Sequence, residues 1–238
     1  MIAIYGSGFG LYGHLPALAE LGHEIFVPER YRAAFEGRTE LQQYRSAVHF
    51  VDDERRILSV AELAVLTRRP ADNDALARQV ALIPNPPRLV IEKPPGATPQ
   101  AALSLARVLK SAGVRYVTPY LMAHCAWARG CLSMVAAGGT DIALNWYFNS
   151  SGTTQSWKST PDQGGGIVNY YFIHLIALAQ LLLGSYRLAE CRTDALGATF
   201  AVVALVAAHQ GNDEPEYRRL ASPDITSCVC MKFIVLVR

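Results

Sequence analysis

The stretch "IAIYGSGFGLYGHLPAL", Ile2 to Leu18, decides the fold: four apolar residues, a segment broken by four glycines, then leucines at helical spacing. Ile2-Ala3-Ile4-Tyr5 reads as a buried strand, while Leu15, Leu18 and Leu21 share one face of a helix. Two registers of G-x-G-x-x-G overlap in the turn. Gly8-x-Gly10 with Gly13 matches in full, whereas Gly6-x-Gly8 leaves Leu11 in the third place. We prefer the second of these, because Gly6 directly follows the strand, where the tight turn must occur. Gly8 then falls where backbone approaches a pyrophosphate. Glycine turns also close ordinary strand-helix corners, so context has to carry the reading. Glu29 stands about 20 residues on, at the end of the next apolar run, where an acid would bind an adenosine ribose. It reads equally as a solvated loop acid, and Arg30 and Arg32 beside it would suit a 2′-phosphate, so NAD and NADP stay unseparated at this point.

Outward from the turn, "HEIFVPERY", "AVHFV", "ELAVLT", "RLVIEK" and "VRYVTPY" read as further short strands. A helix follows "RLVIEK", with Pro99 near its start and Ala102, Leu103, Leu105, Ala106 and Leu109 on its apolar face. Strands alternating with helices imply right-handed crossovers and an N-terminal Rossmann-type, doubly wound parallel sheet over residues 1–120. The texture changes after that. "AHCAWARGCLSMVAA" is helical, "DIALNWYFNS" alternates as an antiparallel strand would, and an apolar helix over 167–183 follows a polar loop ending in Gly164-Gly165-Gly166. "FAVVALVAA" and "ITSCVCMKFIVLVR" are strand candidates, the latter either a core strand or an exposed edge. Residues 121–238 are thus expected to form a shortened α+β domain on an open, mainly antiparallel sheet.

Composition sets limits on partners. A chain of 238 residues, 51% of them hydrophobic, has ample material for a core. Its net charge of +2 and dispersed arginines argue against a nucleic-acid surface. Five cysteines without zinc spacing read as reduced thiols, so no metal site is expected. Met1-Ile2-Ala3-Ile4-Tyr5 has no basic leader, which leads us to expect a cytoplasmic protein. The segment from Ile167 to Gly184 has the length to span a bilayer, but Asn169, His174 and Gln180 within it argue for a buried helix and no membrane partner.

"LVIEKPPGATPQ", Leu89 to Gln100, ends an apolar strand in Glu92 and Lys93 and then forbids a helix with Pro94 and Pro95. In a parallel sheet this delivers both side chains to the carboxyl edge, where ligands bind. A lysine there would hold a substrate hydroxyl and stabilise the alkoxide-like charge that develops as hydride leaves carbon.

At this point the chain resembles a family. "GSGFGLYGHLPAL", "EKPPGATPQAALSLARVLKSAG" and "GGGIVNYYFIHLIALAQLLLG" occur in the order and at the approximate separations of the glucose-fructose oxidoreductase / inositol dehydrogenase / MocA family, a likeness running from Met1 to about Gly184. Glu-Lys-Pro before an amphipathic helix is the most specific of these motifs and the glycine turn the least. The resemblance implies oxidation or reduction of a sugar, nucleotide-sugar or cyclitol hydroxyl with NAD or NADP, in a homodimer. It also implies Gly6, Gly8 and the Phe9-Gly10 backbone at the pyrophosphate, Thr67 on the loop after "AVLT", and Glu92 and Lys93 near the nicotinamide. Tyr120 would keep a place among the cofactor residues, and His174 would be the general acid/base.

Departures from the family pattern set up a second expectation. Tyr170, Phe172 and Ala177 stand where the family has an aspartate, a glycine and a second aspartate, and no arginine occurs near Ala123 and His124. An acid at 177 would lie one helical turn from His174. Its loss, with the short second domain, raises the alternative of a cofactor-binding sensor or assembly subunit without turnover.

Overall fold

The computed structural model describes residues 1–136, 141–148, 157–183, 186–192, 202–207 and 229–236. The chain divides into two compact units, one of Met1–Pro119 with Thr160–Gly165, the other of Tyr120–Ser159 with Gly166–Arg238.

In the first unit, β1 (Ile2–Tyr5) is followed by a π-helical turn over Gly10–His14 that runs into α1 (Leu15–Glu20). Next come β2 (Ile25–Pro28), α2 (Arg32–Glu36), β3 (Val48–Val51), α3 (Glu54–Val60) and β4 (Leu63–Leu66). Then α4 (Pro70–Val80), β5 (Arg88–Ile91), α5 (Pro99–Ser111) and the two-residue β6 (Tyr116–Val117) complete it. The six strands form one parallel sheet in the order β3-β2-β1-β4-β5-β6. This is the expected doubly wound α/β sheet, and its strand order reverses between β1 and β4.

Two apolar layers cover the sheet. Leu11, Leu15, Ile25, Val27 and Phe35 pack with Ile4 on one face, and Leu76, Val80, Leu105 and Leu109 pack with Tyr5 and Leu66 on the other. Each fully buried aliphatic side chain contributes about 2 kcal/mol of transfer free energy. The helical faces differ in detail from the expected ones. Leu21 caps α1 and is exposed, and Leu103 projects outward because Leu105 and Leu109, four residues apart, take the inward stripe of α5. Sequence periodicity also passed over α2, α3 and α4, short helices dominated by charged and small residues.

In the second unit, α6 (Ala126–Ala136), β7 (Asp141–Phe148), α7 (Ile173–Leu183), β8 (Tyr186–Arg192), β9 (Val202–Ala207) and β10 (Val229–Leu236) follow in order. The strands form a sheet in the order β7-β10-β9-β8, with β10 antiparallel to β7 and parallel to β9, and β8 antiparallel to β9. The last strand candidate therefore takes an interior place in its sheet rather than an edge. β8 went unread in the sequence. Ala128 of α6 packs on Leu178 and Leu182 of α7. Among the described residues no helix is long and apolar enough to cross a membrane. The polar stretch 209–224, and Cys228, lie outside the described residues.

Candidate functional site

Strand register builds the site. Tyr5, Leu66 and Ile91 are level with one another across β1, β4 and β5, so the next residues, Gly6, Thr67 and Glu92, form a row just past the carboxyl edge. Backbone bonds hold the row: Thr67 N–H donates to the Tyr5 carbonyl at 2.7 Å and Glu92 N–H to the Leu66 carbonyl at 2.9 Å. The crevice where ligands bind in such sheets opens where the order reverses, between β1 and β4. Gly6 and Thr67 flank it.

Each glycine of the turn has a distinct task. Gly6 sits at φ 140°, and a Cβ there would fall 2.6 Å from the Thr67 carbonyl oxygen. Gly10 is buried, and its Cβ would collide with the Thr67 hydroxyl and approach the Ile4 side chain to 2.9 Å. Gly13 leaves room for the Phe9 ring. Gly8 alone of the four is exposed with nothing within 4 Å of where a Cβ would lie. That open approach to backbone is what a dinucleotide pyrophosphate requires, so the residues present fit NAD or NADP. In the Gly6-x-Gly8 register this open position is the second glycine. Close helix-to-strand packing, the usual task of the third glycine, falls to Gly10, while Leu11 is buried in the core.

The Thr67 hydroxyl also donates to the Tyr5 carbonyl, at 3.2 Å, which pins the β4 loop to the β1 turn. Beyond it the loop is held by Asn73, 1% exposed, whose Oδ1 accepts from the Arg68 N–H at 2.9 Å and whose amide donates to the Arg68 carbonyl at 3.3 Å. Asn73 was missed in the sequence. A lone polar residue in a helix-forming segment carries no signal until its burial is known.

At the end of β2, the Glu29 carboxylate receives Arg32 through both Nε and Nη2, the latter at 2.9 Å. The hydrogen bond from Arg32, and its charge, hold the Glu29 carboxyl below the ordinary range. Arg32 Nη1 also lies 3.6 Å from Glu36. Arg30 is engaged elsewhere, with its Nε 2.9 Å from Glu54, and Arg68 meets the same carboxylate at 2.8 Å. Both arginines considered for a 2′-phosphate are thus ion-paired.

Glu92 and Lys93 follow β5 at the same edge, and both are partly buried. Glu92 is not left to solvent: its Oε1 lies 2.8 Å from His14 Nε2, with the two side chains 12% and 17% exposed. His14 ends the π-helical turn and presents its ring edge-on to Phe9, centroids 5.1 Å apart. His14 was not singled out in the sequence. The signal that would have found it is its position directly behind the glycine turn, at the sheet's ligand edge.

In the second unit, His174 lies in the first turn of α7, after the π-helical turn Ile167–Phe172. Its ring stands edge-on to Tyr120 at 6.3 Å, and burial pushes the Tyr120 phenol up, which keeps it protonated. Tyr120 belongs to this unit and lines a groove of about 470 Å³ with Ile173, Ile176, Ala177, Gln180 and Leu181. Tyr170, at the first departure from the family pattern, packs edge-on against Trp157 and Tyr171 and receives Lys158 over its ring at 5.5 Å.

No protein-family model matches the chain, and no curated protein matches it. Solved structures do. The WlbA dehydrogenase from Bordetella pertussis, in complex with NADH and UDP-GlcNAcA, is similar with a TM-score of 0.70 at 16% identity, covering 99% of this chain and 71% of that one. GenD2 from gentamicin A biosynthesis, in complex with NAD, is similar with a TM-score of 0.68 at 18% identity, covering 99% of this chain and 65% of that one. An NAD-binding oxidoreductase from Klebsiella pneumoniae is similar with a TM-score of 0.63 at 18% identity, covering 81% of this chain and 56% of that one. The chain thus spans less than two thirds of the length of the last two. At these identities the likeness establishes architecture: the chain has the α/β fold of NAD-binding oxidoreductases.

Proposed function

We propose that the chain is an NAD(P)-dependent oxidoreductase of the glucose-fructose oxidoreductase / inositol dehydrogenase / MocA type, acting on a hydroxyl or keto carbon of a sugar, nucleotide-sugar or cyclitol. The observation that carries this reading is Gly8, open and exposed at the switch point, between glycines packed hard against Thr67. The Glu92–Lys93 edge supports it, as does the similarity to dehydrogenases solved with NADH and a nucleotide sugar acid.

When bound, the nicotinamide supplies the site that gives or takes the hydride. The chain's own residues do the rest. Gly6, Gly8, Phe9 and Gly10 offer backbone to the pyrophosphate, and Glu29 accepts from the adenosine ribose. With Arg30 and Arg32 engaged by Glu54, Glu29 and Glu36, no unengaged guanidinium in that pair awaits a 2′-phosphate, so NAD is the preferred form. The Lys93 ammonium donates to the reacting oxygen and stabilises negative charge on it. His174 takes or returns the hydroxyl proton, since imidazole titrates near working pH. Tyr120, expected among the cofactor residues, stands with its ring at a right angle to that of His174.

One observation favours a second reading. Ala177, one helical turn from His174, lines an apolar groove where the family carries an acid, so the imidazole has no carboxylate at that place. A cofactor-binding protein without turnover follows if that acid is indispensable. Thermal unfolding with millimolar NAD, NADH, NADP and NADPH tests the common part of both readings. Ligand at 100 times its Kd adds about 2.7 kcal/mol, or roughly 5–11 °C in Tm at this size. We expect the larger shift from NAD and NADH; no shift from any of the four overturns both readings. Turnover of a panel of nucleotide sugars and cyclitols then separates them.

A further inference from the structure

The glycine turn and the Glu92–Lys93 edge come from distant segments, and a side-chain bond across 78 residues links them: His14 Nε2 to Glu92 Oε1 at 2.8 Å. We infer that His14 is a positioning residue for the cofactor site, holding the glycine turn and the end of β5 in one geometry. The inference rests on the reading of that edge as an NAD(P) site.

Three features carry it. First, the pair is sheltered: the two side chains are 17% and 12% exposed, so the bond competes less with water than an ordinary surface pair. Second, the His14 ring also packs at a steep angle against Phe9, centroids 5.1 Å apart, and Phe9 meets Tyr12 at 5.2 Å, while Gly13 has no Cβ to displace the Phe9 ring. The turn therefore carries its own clamp, and the clamp's polar end is Glu92. Third, an ionised carboxylate only accepts, so Nε2 must carry the proton and donate, whether or not Nδ1 is protonated. The bond does not depend on imidazolium. It orients the carboxylate of the residue immediately before Lys93 and sets the spacing between β5 and the turn whose Gly8 is exposed for the pyrophosphate.

This arrangement explains why both a polar partner and a ring are present at position 14. A leucine there would keep the apolar packing on Phe9 and lose the donor, leaving Glu92 partly buried without its bond. A glutamine places an N–H near the position of Nε2 and keeps the donor without the ring.

The test measures NADH affinity by fluorescence titration at 10 °C for the native chain, His14→Leu, His14→Gln and Glu92→Gln, with Tm recorded for each. His14→Leu should weaken NADH binding about tenfold or more, and His14→Gln should recover most of that loss. Glu92→Gln, whose amide oxygen still accepts from Nε2, should lose less than His14→Leu. A role confined to stability would lower Tm and leave the affinity of the folded protein unchanged. That result, or equal weakening by His14→Leu and His14→Gln, overturns the inference. If the native chain itself fails to bind NADH or NADPH, the functional reading falls and the inference with it, an outcome distinct from native binding that His14→Leu leaves intact.

Discussion

The two units surround their candidate residues with different groups. At the carboxyl edge of the first, four groups are tied to neighbours by directional bonds: Thr67 to Tyr5, Glu92 to His14, Glu29 to Arg32, and the loop behind Thr67 to Asn73. On α7 of the second, His174 stands beside a ring and an apolar groove, and the neighbouring turn offers Ala177 instead of a carboxylate. Binding a long, charged cofactor needs many groups placed in advance, so a site for it leaves many constraints in the sequence. Proton transfer at one carbon needs few, so its site is carried by one or two residues and is easily altered.

The largest effect is expected at His174. In the enzyme reading, His174→Ala lowers turnover of the responsive nucleotide sugar or cyclitol by at least about a hundredfold, while NADH affinity stays within about twofold. Unchanged turnover would leave the second unit without an assigned acid/base.

Two glycine substitutions sharpen the first unit. Gly6→Val forces a β-branched residue to φ 140° and drives its Cβ toward the Thr67 carbonyl, so a loss of about 3 kcal/mol is expected, or roughly 6–12 °C in Tm. Gly8→Val meets nothing within the fold and should leave Tm within about 2 °C, yet weaken NADH binding by about tenfold or more. Reversal of the two patterns would mean that the motif register is misassigned.

Asn73→Ala is expected to cost about 2 kcal/mol, because it removes two hydrogen bonds from a buried loop and leaves the Arg68 N–H without its acceptor. Urea unfolding reads the loss directly. A change under about 0.5 kcal/mol would show that the loop behind Thr67 is held by backbone alone.

The division between what could and could not be read from residues follows the same line. The parallel sheet, its glycine turn and the Glu-Lys end of β5 rest on local pattern: apolar runs, glycines at fixed offsets, a strand stopped by prolines. Gly10 packing against Thr67 and His14 bonding to Glu92 depend on which segments the fold brings together, and no short window along the chain contains both partners; Asn73 stands five residues from Arg68, but its burial under the β4 loop is set by the sheet. Helices α2, α3 and α4 were overlooked for a related reason. Their stability comes from docking on the sheet, with Asp53 capping α3 through the Arg55 and Arg56 N–H groups, rather than from a wide apolar stripe.

The smallest effect concerns charge at the end of β2. Glu29 has its carboxyl held low, chiefly by the hydrogen bond from Arg32 and then by its charge. A carboxyl with a lowered folded pKa stabilises the protein above its unfolded value, near 4.3, and that stability disappears as pH falls through the lower folded value. In cofactor-free protein, native stability measured by urea midpoint should therefore fall more steeply below about pH 4.5 than that of Glu29→Gln. The gap between the two curves should be small, because the pair is open to solvent and salt. Parallel curves would mean that Arg32 does not hold Glu29 in the free protein. In that case the β2 end would wait for the cofactor to be organised, and the first unit's edge would be less preformed than its other bonds make it.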